Sequence, residues 1–157
     1  MLRYESAGKV GVSAARSILE EIGSLQRTWW RGALGLDPSE DDRPAILKGK
    51  TALFHPPGAI PDEDDVFMAF ADAAFIIERL AAWAKKYRIK WRLSMHDEDW
   101  GAIDPTGPTK PLREQLGKWA GRAKVFETGP ASWAIPAERR ETLLARHSSR
   151  KAPGPPP

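Results

Sequence analysis

The stretch PDEDDVFMAFADAAFIIERLAAWAKKYR, from Pro61 to Arg88, constrains this chain more than any other. It predicts a long helix over about 62–86. Four acids, Asp62, Glu63, Asp64 and Asp65, open it, and Lys85 and Lys86 close it. Both ends therefore complement the helix macrodipole. Its polar stripe is narrow: Asp65, Asp72, Arg79 and Lys86 recur seven residues apart. Phe67, Phe70, Phe75, Ile76, Leu80 and Trp83 make most of the remaining circumference apolar. A helix of that kind needs cover on several sides. It is either the central helix of a domain or half of a subunit interface, which would make the protein a homodimer. It is not a membrane span, because Asp72, Glu78 and Arg79 interrupt it.

Beyond Arg88 the chain alternates. Ile89, Trp91, Leu93 and Met95 fall on one side, and Lys90, Arg92, Ser94 and His96 on the other. A period of two is that of a half-buried strand. Trp100 to Ile103 reads as the return strand, with Asp97, Glu98 and Asp99 in the turn. Earlier in the chain, Ala15, Ile18, Ile22, Leu25 and Trp29 recur at helical steps, with Ser13 as the expected N-cap and Gly32 and Gly35 as the expected stop. Residues 51–55 read as a short strand closed by Pro56 and Pro57, and the first ten residues are ambiguous. After the hairpin, Thr109 is placed to cap a helix carrying Leu112, Leu116, Trp119 and Ala120. A short strand at 124–126 and a weakly amphipathic helix from Pro136 are the last elements expected. The expected fold is α+β: a small, mostly antiparallel sheet with a central hairpin at about 89–103, packed on the long hydrophobic helix and flanked by amphipathic helices.

A chain of 157 residues with 41% hydrophobic and 29% charged residues fits one domain. We expect a single globular unit over 1–147 and a disordered, Pro-rich tail over 148–157. Without cysteine, disulfide scaffolds, thiol nucleophiles and thiolate zinc sites are excluded. The opening residues lack the apolar core of a secretion signal, so the expectation is a soluble, cytoplasmic protein. Charge is uneven. Residues 1–65 carry 8 basic and 11 acidic side chains, and the remainder carries 16 basic and 10 acidic. That imbalance permits an anionic partner for the second half.

Two clusters invite chemistry. Lys86, Arg88, Lys90 and Arg92, with Tyr87 and Trp91 among them, resemble a nucleic-acid grip. The alternation argues against it. Lys85 and Lys86 finish a helix, Lys90 and Arg92 face outward, and Trp91 points to the core. A stacking platform needs its rings and cations on one face. The second cluster is His96, Asp97, Glu98 and Asp99. Four consecutive turn residues splay apart and do not converge on one ion. The calcium-loop spacing also fails, since the sixth and twelfth residues from Asp97 are Ala102 and Pro108. A solvated turn, able to serve as a recognition loop, is the simpler reading. The GKT at 49–51 lacks the earlier glycine of a phosphate loop.

The sequence thus carries no catalytic motif and implies no cofactor or metal. The leading expectation is a non-enzymatic, protein-binding protein of a small regulatory, adaptor or toxin-neutralising (immunity) type. Its expected contact residues are Trp30, Trp133, Arg92, His96, Asp97, Glu98 and Asp99, since tryptophan is a strong binding anchor. The first alternative is nucleic-acid binding through Lys86, Arg88, Lys90 and Arg92. The second is a small enzyme with a carboxylate or histidine centre near His55 or His96.

Overall fold

In a computed structural model, the structure describes residues 1–28, 36–37, 43–53 and 63–122. Trp30, His55, the expected elements at 124–126 and beyond Pro136, Trp133 and the tail lie outside the described residues. The described chain is α+β, with three helices and a five-stranded antiparallel sheet. In order these are β1 (Leu2–Ser6), α1 (Val12–Thr28), β2 (Lys48–Thr51), α2 (Glu63–Tyr87), β3 (Trp91–Met95), β4 (Glu98–Asp104), β5 (Gly107–Pro108) and α3 (Lys110–Arg122). The sheet runs β2-β1-β3-β4-β5.

The expected hairpin packed on a greasy helix is present. Trp91, Leu93 and Met95 are buried, and so is Ile103 on the return strand. On α2, Phe70, Ala73, Ile76, Leu80 and Ala84 are wholly inaccessible. Burying each large side chain of this kind contributes roughly 1.5–3 kcal/mol relative to exposure. α1 adds Ala15, Ile18 and Ile22 to the same core, and α3 adds Leu112, Leu116 and Ala120. Helices cover one face of the sheet, and among the described residues no helix packs on the other, where Arg3, Lys48, Lys50 and Arg92 are exposed, as an antiparallel sheet allows.

Five details depart from the sequence reading. The ambiguous first residues form β1, which lies between β2 and β3. Leu2, Tyr4 and Ser6 are its buried positions, too short and too mixed a pattern to read alone. The strand expected at 51–55 is displaced to Lys48–Thr51. Its core-facing positions hold Gly49 and Thr51, so no apolar alternation announces it. Helix α1 begins one residue before Ser13, and the Gly11 carbonyl accepts the Ala15 N–H (3.0 Å), which makes Gly11 the cap. Asp72, placed on a solvent stripe, is buried at 1% exposure, because the protein covers more of α2 than a seven-residue stripe leaves open. Finally, the turn between β3 and β4 is two residues long, His96 and Asp97, and Glu98 and Asp99 belong to β4.

The link from α2 to β3 has its own geometry. Arg88 takes a left-handed conformation (φ 58°), and the Ile89 N–H returns to the Ala84 carbonyl (3.1 Å). This is the six-to-one closure of a Schellman motif, with arginine where glycine is usual. Buried Ile89 and Ala84 supply its apolar contact. The chain then enters β3 with its register set.

Candidate functional site

Strand periodicity divides the sheet's side chains into two sets. The set facing away from the helices is almost entirely charged. Register places it in two straight rows. Lys50 of β2 stands opposite Arg3 of β1, Arg3 opposite Ser94 of β3, and Ser94 opposite Asp99 of β4. One step along the strands, Lys48 stands opposite Glu5, Glu5 opposite Arg92, and Arg92 opposite Ala102. Both rows line an open trough of about 790 Å³, which Asp37 and Asp97 also border. Among the described residues, no ion pair within 4.0 Å joins any of these side chains to another.

Local structure fixes each end of the trough. At the β2 edge, the Asp37 N–H donates to the Lys48 carbonyl (2.8 Å), which ties residues 36–37 alongside the strand. At the other end the β3–β4 hairpin turns through His96 (φ 51°) and Asp97 (φ 62°), a type I′ turn by both signs. A bulge comes next. Leu93 pairs with Gly101 but Ser94 pairs with Asp99, so Trp100 is the extra residue. The bulge sends Trp100 to the helical side, edge-to-face against Trp119 (5.8 Å), and leaves Asp99 on the outer face. One Asp99 oxygen accepts the Gly101 N–H (2.9 Å).

The structure brings together three of the residues singled out from sequence: Arg92, Asp97 and Asp99 all line the trough. His96 and Glu98 are exposed at the hairpin beside it but are not part of its lining. Sequence reasoning missed Arg3, Glu5, Lys48 and Lys50, because the first residues were ambiguous and the second strand was expected at 51–55 rather than at Lys48–Thr51. The alternation of Leu2, Tyr4 and Ser6 around Arg3 and Glu5 was the available signal.

The basic run is split. Lys86 ends α2, 3.6 Å from Glu21 of α1 and 5.2 Å from the centre of the Tyr87 ring. Its contacts with Tyr87 and then with Glu21 hold its ammonium above the usual lysine value. Arg88 is the exposed C-terminal cap of the helix. Lys90 is exposed and lies near Asp104. Asp104 is held below the usual carboxylate range by the Thr106 hydroxyl, then the Thr106 N–H, with a smaller contribution from Lys90. Trp91 is fully buried on the opposite face, and its indole N–H has no partner among the described residues. The ring is therefore not on the face that carries Lys90 and Arg92.

No three His, Asp or Glu side chains among the described residues are grouped so as to hold a metal ion. No helix among them is long and apolar enough to cross a membrane. No family model, no curated protein and no solved structure matches the chain.

Proposed function

We infer that this is a non-enzymatic binding domain that engages a protein partner through the outer face of its sheet. The observation that carries this reading is the trough itself. It is an open depression on the sheet, lined by Arg3, Lys48, Lys50 and Arg92 and by Glu5, Asp37, Asp97 and Asp99. Four cations face four carboxylates. A polyanion such as nucleic acid would meet repulsion as often as attraction there, and it would find no aromatic ring to stack on. A folded protein surface carries both signs and matches such a lining.

Of the expected contact residues, Arg92, Asp97 and Asp99 belong to this surface, which extends beyond them onto β1 and β2. Among the described residues, only Met1 and Ile46 are large, exposed hydrophobics, each at 47% exposure. The circumference of α2 is filled from within the chain, so the described surface offers a homodimer no broad apolar patch.

The test is capture from the native host by the wild-type chain and by two face variants, Arg92→Glu and Arg3→Glu. Circular dichroism and urea midpoints establish that both variants fold, since both side chains are exposed. The expected result is a partner retained by the wild type and lost by both variants. Equal retention by all three would place recognition elsewhere and end this reading. Oligonucleotide binding that falls steeply with salt would transfer the face to nucleic acid.

A further inference from the structure

The two rows of the trough differ in a way that specifies the partner. In the row of Lys48, Glu5 and Arg92, the signs alternate across the strands. Opposite charges directly across a ladder favour one another, so this row carries its own complement by register, although no pair in it closes to 4.0 Å among the described residues. In the row of Lys50, Arg3, Ser94 and Asp99, two cations are adjacent and the carboxylate is at the far end, beyond a hydroxyl. Like charges directly opposite are unfavourable. The contact between Arg3 and Lys50 is also the close kind. The Ser6 N–H donates to the Leu47 carbonyl (2.8 Å), which sets the ladder's parity and makes Arg3 and Lys50 a non-hydrogen-bonded pair. Such pairs bring side chains nearest together. The row is polarised, and among the described residues no ion pair within 4.0 Å engages Lys50, Arg3 or Asp99.

We propose that the trough takes an extended segment of a partner protein, laid across the strands, with a carboxylate side chain over Arg3 and Lys50 and a basic side chain over Asp99 and Asp97. Strand spacing sets the separation. From midway between Lys50 and Arg3 to Asp99 is two and a half inter-strand steps, about 12 Å. An extended chain rises about 3.3 Å per residue, so the acid and the base stand about four residues apart. Ser94 lies beneath the middle of the segment, where its hydroxyl can meet a backbone group. The proposal rests on the outer-face reading and adds the order and spacing of the partner's charges.

The test uses the full chain and labelled peptides of about nine residues at low salt, read by fluorescence anisotropy. One peptide carries Glu and Arg four residues apart. A second has the Glu replaced by Gln, and a third places the two charges side by side. The first peptide binds and the other two bind about threefold to fivefold more weakly, the scale of one exposed charge pair. The variant Lys50→Gln loses a similar factor toward the first peptide and loses nothing further toward the Gln peptide. Asp99→Asn, which keeps the oxygen that accepts the Gly101 N–H, responds in the same way to replacement of the peptide's Arg. Equal binding of all three peptides, no binding of any, additive losses, or tighter binding of a single-stranded oligonucleotide would each overturn the proposal. Failure here with face-dependent capture intact leaves the outer face as the docking surface and removes only the charge pattern. Capture that ignores the face removes both.

Discussion

A methyl group added at Gly101 would lie 2.9 Å from the Leu112 amide nitrogen and 3.1 Å from its Cβ. The backbone there also has φ 112°, a conformation that side-chain-bearing residues rarely adopt. Gly101 is where the bulge presses β4 against the first turn of α3, so Gly101→Ala is expected to destabilise by about 2–4 kcal/mol in urea denaturation. The hairpin tip behaves in the opposite way. His96 and Asp97 both occupy left-handed conformations that Asn and Gly adopt more readily. The double variant His96→Asn, Asp97→Gly is therefore expected to gain about 1 kcal/mol of stability. If the tip touches the partner, the same variant loses affinity while it gains stability, and the two measurements separate recognition from folding. Tyr4 supplies a pH signature. Burial, opposed by the hydrogen bond to Thr51 and aided by Asp37, pushes its phenol up to about 12. An acid raised in the folded state contributes stability that is full below its unfolded value, near 10, and is lost as pH rises through about 12. In a Tyr87→Phe variant, which leaves Tyr4 as the one tyrosine, absorbance at alkaline pH should titrate in that upper range together with loss of fold.

Between elements, α1 is fastened to α2 through Trp83, whose indole N–H donates to Glu21 (2.6 Å), while Lys86 approaches the other Glu21 oxygen. Trp83→Phe keeps most of the packing and removes the donor. We expect a cost of about 1–3 kcal/mol, with Glu21→Gln adding little in the Phe background, as a double-mutant cycle would register. The elements also show what could be read from the sequence and what could not. α2 and β3 carry their period openly, because large apolar residues recur along their core-facing positions: Phe67, Phe70, Ile76, Leu80 and Trp83 on the helix, and Trp91, Leu93 and Met95 on the strand. β2 does not: its core-facing pair is Gly49 and Thr51, and its register comes from β1 rather than from its own pattern. Half of the trough's charges sit on those two strands. The site could therefore be read only on the β3–β4 side, where Arg92, Asp97 and Asp99 lay within legible structure. Thr109 shows a subtler limit. Its carbonyl accepts the Arg113 N–H, as a cap's should, yet its hydroxyl accepts from Ala102 and so fastens α3 to β4. Capping and cross-element bonding use the same residue type, and sequence does not distinguish them.

At the scale of the whole molecule, β1 is paired on both sides, with β2 and with β3. Leu2 stands opposite Met95, so this pairing closes a span of roughly ninety residues. The β3–β4 hairpin, with its two-residue turn, needs no such closure. During refolding it is therefore expected to close first, with the long flank of β3 still open to a neighbour. A vacant flank accepts any strand of the right pattern, and the best available copy is β1 of another molecule. Concentrated refolding should therefore yield intertwined pairs that have traded their leading strands, separable by size-exclusion chromatography and absent after dilute refolding. In such a pair the row of Lys50, Arg3, Ser94 and Asp99 would be assembled from two chains, so the entangled species would still display the whole recognition surface, twice.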